Sequence, residues 1–242
     1  MSPRRVGILG GMGPEATVLL MQRLIAAVPA RDDSDHIPLM VDMNPQVPSR
    51  IRRLIEGTGD DPGPVLAAMA QRLESAGAEA LAMPCNTAHH YVAEIQAATS
   101  LPVIDMVAMT VARARRLAGE AGQIGILASP AMQRIGLFDR AFARLGLQAI
   151  YPADPEPLLA TIRSIKAEGP TPDARAQLLA ASRDLQADGA AVQMIACTEF
   201  SLIADAIASE TRILDTLDVL VDGIVAFACS HSPAPEPQVL PG

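Results

Sequence analysis

The strongest constraint on how this chain can fold is that it repeats itself. Val6-Gly7-Ile8-Leu9 returns 118 residues later as Ile124-Gly125-Ile126-Leu127. Gly77-Ala78-Glu79-Ala80-Leu81-Ala82-Met83, running into Pro84-Cys85-Asn86-Thr87, returns after 112 residues as Gly189-Ala190-Ala191-Val192-Gln193-Met194-Ile195, running into Ala196-Cys197-Thr198-Glu199. Val103-Ile104-Asp105 returns as Ile213-Leu214-Asp215 at a spacing of 110. Three matches, in order and at nearly constant spacing, point to two halves built on one plan. Each repeated unit is a short apolar run of the length a buried strand needs, with helical periodicity in between. That alternation builds parallel sheets flanked by helices, with ligands held beyond the carboxyl ends of the strands. Both cysteines fall at such ends, so two equivalent lobes would bring them face to face across a cleft.

Strands are expected at Val6–Leu9, Leu39–Met43, Ala80–Met83, Val103–Asp105, Ile124–Leu127, Gln148–Tyr151, Ala191–Ile195 and Ile213–Leu214. A helix from Pro14 to about Ala27 uses proline at its first position, where the missing N–H costs nothing. Another spans Val65–Gly77, with Leu66, Met69 and Leu73 on one face. Half of the 242 residues are apolar and only 2% are aromatic, so the core must be built from Ala, Leu, Ile, Val and Met. Those side chains suit helices layered on parallel strands.

Charge and cysteine usage narrow the function. A net charge of −8 argues against nucleic acid, which is bound by clustered Lys and Arg, and against anionic membranes. No apolar run approaches the roughly 18 residues of a membrane span. Arg4-Arg5 before a short apolar run imitates the start of a signal peptide, but the run ends at Gly13-Pro14-Glu15. Three cysteines make no disulfide framework, and a soluble, cytoplasmic protein is expected.

The two cysteine segments carry the chemistry. Asn86-Thr87 and Thr198-Glu199 read as helix starts, whose amides favour an anion and would lower a thiol's pKa toward neutrality. Zinc needs three or four ligands, and Cys85 with His89 and His90 falls short of a convincing set, so no metal is expected. No Cys-x-x-Cys element supports redox work. A cysteine hydrolase would use one thiol and leave the other redundant. Two opposed thiols suit taking a proton from one face of a carbon and returning one to the other. Cys229 reads as a small buried hydrophobe, and His89 and His90 as one buried and one wet position of an amphipathic helix. Gly11-Met12-Gly13-Pro14-Glu15-Ala16 satisfies G-x-G-x-x-A after a strand, which keeps a dinucleotide-binding oxidoreductase open. A loop whose amides hold a substrate carboxylate explains it equally well.

From Val6 to about Val225 the chain resembles the aspartate/glutamate racemase family, cofactor-independent amino-acid racemases that use two cysteines. The resemblance rests on Gly10-Gly11-Met12-Gly13-Pro14-Glu15-Ala16-Thr17, Asn44-Pro45, Met83-Pro84-Cys85-Asn86-Thr87-Ala88-His89, Ile165-Lys166 and Ala196-Cys197-Thr198-Glu199. It implies two pseudo-symmetric α/β lobes, each a parallel sheet flanked by helices, an active site in the cleft between them, and a homodimer. On that plan residues 1–103 and about 212–230 form the first lobe and residues 104–211 the second. The last segment, with four prolines from Ser230 onward, leaves residues 231–242 as a disordered tail.

By the same resemblance Cys85 and Cys197 are the acid–base pair, one thiolate and one thiol exchanging roles with substrate handedness, and no cofactor is required. Asn86, Thr87 and Thr198 are the candidates to hold the α-carboxylate. Arg50 and Lys166, the only lysine in the chain, match positions that bind carboxylate in dicarboxylate-acting members. Glu199 would orient Cys197 or meet the substrate ammonium, and Met12 would line the pocket. Strict glutamate racemases carry Asp-Ser in the first glycine loop and His after the second Cys-Thr; here Met12-Gly13-Pro14 and Glu199 stand instead. The expectation is therefore a racemase of acidic amino acids, aspartate first, with glutamate, broad-specificity, hydantoin-type and maleate isomerase-like activities as alternatives. A non-catalytic amino-acid-binding protein is the alternative outside the enzymes.

Overall fold

Strands this apolar must be covered on both faces, and among the described residues two sheets are covered by ten helices. A computed structural model describes residues 3–119, 122–208 and 210–230. The first half runs β1 (Val6–Gly10), α1 (Pro14–Ala27), β2 (Leu39–Met43), α2 (Gly63–Ser75), β3 (Ala80–Ala82), α3 (Val92–Ala98) and α4 (Met106–Ala118). The second runs β4 (Gln123–Leu127), α5 (Pro130–Ile135), α6 (Leu137–Ala143), β5 (Gln148–Ile150), α7 (Glu156–Glu168), α8 (Pro172–Ala187), β6 (Val192–Ile195), α9 (Thr198–Ser201), β7 (Arg212–Asp215) and α10 (Thr216–Cys229). All strand pairs are parallel, ordered β2-β1-β3 in one sheet and β5-β4-β6-β7 in the other. The fold is α/β, with two parallel sheets of the same internal order.

The repeat is visible down to single side chains. A Cβ on Gly7 would meet Ala78 Cβ at 3.0 Å, and one on Gly125 would meet Ala190 Cβ at 2.9 Å. Each central strand thus lies against the alanine that precedes its partner strand, an approach only glycine permits. Asp105 and Asp215 then cap α4 and α10, their side chains accepting from the Ala108 and Leu217 amides in the first turn of each helix.

One expected strand departs from its counterpart. Val103–Asp105 is reduced to a single bridge from Val103 to Leu81, whereas β7 pairs along four residues. Pro102 occupies the position of Arg212 and has no N–H to extend the ladder, while Asp105 already begins α4.

The last helix of each half crosses to the other sheet. Val107, Val111 and Ala114 of α4 pack with Ile124, Ile126, Val192 and Met194 of the second sheet. Leu217, Leu220, Val221 and Ile224 of α10 pack with Val6, Ile8, Ala80 and Ala82 of the first. Each buried aliphatic side chain contributes about 1.5–3 kcal/mol, so this exchange joins the halves far more firmly than a hydrogen bond at about 1 kcal/mol. It also corrects the lobe assignment of residues 212–230. β7 hydrogen-bonds to β6 and belongs to the second sheet; only α10 lies over the first. The proline-rich segment 231–242, read as a tail, lies outside the described residues. Among the described residues no helix is long and apolar enough to cross a membrane. Cys229, expected to be buried, ends α10 exposed to solvent because the helix turns its last residue away from the sheet.

Candidate active site

The carboxyl ends of β1 and β3 in one half and of β4 and β6 in the other border a cavity of about 640 Å³. Met12, Arg50, Cys85, Asn86, Thr87, Lys166, Cys197, Thr198 and Glu199, the nine residues singled out in the sequence, all line it. Their convergence follows from the duplication, since equivalent strand ends carry equivalent loops.

The loop after β1 approaches its neighbour closely. Gly11 has a φ of 89°, and a Cβ there would lie 2.4 Å from the Asn44 carbonyl carbon. The turn feeds α1, with Pro14 at its first position and buried Met12 on the cavity wall. Gly11–Ala16 thus opens into the same cavity as both thiols.

Cys85 follows β3 and is 9% exposed. Its carbonyl accepts a hydrogen bond from His89 Nδ1 at 2.8 Å. A carbonyl can only accept, so the His89 proton sits on Nδ1, and the buried Nε2 has no partner among the described residues. Burial holds the His89 pKa below its ordinary value, against opposing effects of Asp105 and the Cys85 carbonyl. The ring therefore braces the Cys85 backbone and is not turned toward its sulfur as a hydrolase base would be. His90 is exposed, so the pair divides as its sequence suggests, on a short 3-10 turn at Thr87–Tyr91. Asn86 Nδ2 donates to Thr216 Oγ1 at 2.9 Å, and its buried Oδ1 has no partner among the described residues. Thr87 Oγ1 lies 3.6 Å from Met132 Sδ of α5.

The second thiol has a different neighbourhood. Cys197 is also 9% exposed, but its Sγ donates to Glu199 Oε2 at 3.0 Å, and Glu199 Oε1 accepts from Lys166 Nζ. Burial would raise the Glu199 pKa, yet the Lys166 charge and the bonds from Cys197 and Lys166 hold it below the ordinary carboxylate range. Burial likewise opposes the Lys166 charge, and Glu199 outweighs it, keeping the ammonium pKa above its usual value. Burial first, and the Glu199 carboxylate next, push the Cys197 thiol well above an ordinary cysteine. The expected lowering by helix amides does not prevail at Cys197. Helix α9 has only four residues, and the carboxylate sits closer.

Other contacts fix these loops to one another. Thr198 Oγ1 donates to Pro84 O at 2.9 Å, directly joining the two cysteine segments. Ser201 of α9 donates to Asp215 Oδ1 at 2.8 Å, and Arg23 of α1 donates to Asp215 Oδ2 at 2.7 Å.

The cations on the cavity wall are unequal. Lys166 arrives paired with Glu199, and Arg163 is bonded to Glu56 at 2.9 Å. Arg50 Nη1 donates to the carbonyls of Val47 and Pro48, and its buried Nε has no partner among the described residues. It forms no ion pair with a carboxylate among those residues. Ser129, Glu56 and Arg163 also line the cavity and were not anticipated. The duplication could have revealed Ser129, which follows β4 and caps the proline-led α5 where Gly11–Gly13 leads into α1. Glu56 and Arg163 meet only across the two halves, and local sequence carries no trace of that contact.

A family profile described as Asp/Glu/Hydantoin racemase matches residues 9–224. The chain is 28% identical over 228 residues to the broad specificity amino-acid racemase RacX of Bacillus subtilis (strain 168), covering 91% of this chain and 96% of that one. Its fold is similar to Picrophilus torridus aspartate racemase, with a TM-score of 0.82 at 24% identity over 93% of this chain and 94% of the other. It also resembles glutamate racemase isoform RacE1 from Bacillus anthracis, with a TM-score of 0.63 at 18% identity over 93% and 82% of the chains. With the profile running through both sheets and both cysteine loops, the chain belongs to the Asp/Glu/Hydantoin racemase family and is an isomerase.

Proposed function

We propose that the protein racemises an acidic amino acid, aspartate first, by a two-base mechanism with Cys85 and Cys197, without a cofactor. The observation that carries this reading is that both thiols line one cavity from equivalent strand ends of the two halves. Inversion at carbon needs a base on one side and an acid on the other, in opposite protonation states. In one direction the α C–H bond breaks, its electron pair stays on carbon, and the proton goes to the Cys85 thiolate. The Cys197 S–H bond then breaks with its pair on sulfur, and that proton forms the new C–H bond on the opposite face.

The carbanion requires donors near the α-carboxylate. Asn86, whose amide keeps a second hydrogen beside its bond to Thr216, and Thr87 are assigned that role next to Cys85; Thr198, whose hydroxyl already donates to Pro84 O, contributes its backbone amide next to Cys197. Arg50, with no carboxylate partner among the described residues, is assigned the second carboxylate. Lys166 serves it only by sharing or leaving Glu199. A broad-specificity reading is favoured by the same pairing, which leaves Arg50 and Arg52 as the lining cations without a carboxylate partner among the described residues, and by a volume of about 640 Å³, well beyond the needs of a four-carbon acid. The family resemblance leads us to propose a homodimer as well, to be checked by sedimentation equilibrium.

The test is incubation of L- and D-aspartate, glutamate and a neutral amino acid, separately, in D2O without added cofactor, following optical rotation and α-deuterium by NMR. Racemisation with deuterium incorporation is expected for aspartate. Binding without exchange would identify a non-catalytic binder. Equal rates on neutral and acidic substrates would establish the broad-specificity reading.

A further inference from the structure

Before substrate arrives, one of the two sulfurs must hold the proton, and the second half-site specifies which. Glu199 is 7% exposed and commits its two oxygens in different directions. Oε1 takes the Lys166 ammonium, and Oε2 lies 3.0 Å from Cys197 Sγ. A carboxylate held ionised by an ammonium has no hydrogen to give. The hydrogen between Sγ and Oε2 therefore belongs to sulfur. A thiolate there would set two negative charges 3.0 Å apart in a buried site, an arrangement that forces one of them to take up a proton. The corresponding position in the first half-site is Thr87, which is neutral and contacts Met132.

We infer that Glu199 is a positioning residue that keeps Cys197 protonated in the unliganded enzyme, leaving Cys85 to act as the first base. The inference rests on the two-thiol reading and adds an order to it. After one turnover in this direction, Cys85 is a thiol and Cys197 a thiolate beside the Glu199 anion. The free enzyme leaves that state by taking a solvent proton at Cys197 and losing one from Cys85. The same repulsion makes the Cys197 thiolate the stronger base when the reaction runs the other way.

The test reads Cys197 alone and needs no racemisation. In the chain carrying Cys85→Ser and Cys229→Ser, Cys197 is the one thiol left of three. Iodoacetamide then alkylates only that thiolate, forming an S–C bond as iodide leaves, and whole-protein mass counts the adducts against pH. The folded chain should react with a profile displaced to higher pH than the same chain unfolded in urea. Glu199→Gln should accelerate alkylation near neutral pH by about tenfold or more, the change in thiolate fraction that removal of one contacting charge produces. Glu199→Asp, which keeps the charge, should return the profile toward the parent. Mere loosening of the site would speed both variants alike. A folded profile at or below the unfolded one, or equal acceleration by Gln and Asp, overturns the inference, and the first comparison needs no Glu199 variant to fold. A chain that passes while the enzyme fails to racemise overturns only the two-thiol reading. Loss of racemisation in the cysteine variants with a flat Glu199 series overturns only the role of Glu199.

Discussion

The two cysteine loops start from the same place and end in different chemistry. Each follows the strand that pairs with the central strand of its sheet, and each thiol is nearly buried. Past that point, Cys85 is braced through its backbone by His89, whereas Cys197 is held through its sulfur by Glu199 and, behind it, Lys166. Duplication supplies symmetric positions, which inversion at a carbon requires. Under the two-base mechanism proposed above, divergence two residues after each cysteine biases which sulfur holds the proton.

The sharpest way to break the comparison is to remove each sulfur in turn. Cys85→Ala and Cys197→Ala should each lower racemisation by at least about 10²–10⁴-fold, the contribution of a positioned acid or base. One-sided exchange of the α-hydrogen with D2O is the activity expected to survive, and polarimetry beside NMR separates the two. If both variants racemise like the parent, the pair is not the acid–base machinery.

The loops that precede the helices test the symmetry from the side of folding. Gly11→Ala forces a side chain into the left-handed region and against the Asn44 backbone, and should cost about 2–4 kcal/mol in urea unfolding. At the equivalent turn, Ser129→Ala removes only the cap bond to Ala131 and should cost about 1 kcal/mol. Equal losses would mean that the close approach at Gly11 is dispensable.

Lys166→Met probes the charge asymmetry from the substrate side. If Lys166 shares Glu199 with a substrate carboxylate, the variant should lose about tenfold more kcat/KM on aspartate than on a neutral amino acid, one charge-assisted hydrogen bond at about 1.5–3 kcal/mol. Equal losses on both substrates would confine Lys166 to its ion pair with Glu199.

Much of this was legible in the sequence because it is local or repeated. The strand-end positions of Cys85 and Cys197, the proline-led α1 and the Gly11 turn each follow from a short stretch of chain. The nine cavity residues meet because the repeat forces the two ends together. What escaped depends on contacts between distant segments. Lys166 and Glu199 are 33 residues apart and meet through the packing of α7 against α9, so a lysine that looks like a free cation in sequence arrives neutralised. The direction of the Cys197 shift escaped with it, since a helix start suggests a lowered thiol while the contacting carboxylate decides otherwise. The place of β7 escaped because a short apolar run fits either sheet, and the strand expected at Val103–Asp105 is cut to a single bridge by the Pro102 that precedes it.

The smallest expected effect lies in acid, and it belongs to the second half-site alone. Glu199 is held below the ordinary carboxylate range in the folded protein, so between its folded and unfolded values the unfolded chain binds more protons. Its contribution to stability is present above the unfolded value and disappears as pH falls through the folded one. Glu199→Gln should therefore be less stable than the parent at neutral pH, with a deficit that shrinks on acidification into and below the usual carboxylate range. Thr87→Val, the matching change in the first half-site, removes no ionised group and should shift stability by the same amount at every pH. Urea unfolding of parent and variants across that range checks both. A Glu199→Gln deficit that stays constant into acid would show that the carboxylate stabilises by shape and hydrogen bonding alone, and that the two half-sites differ less in charge than their geometry implies.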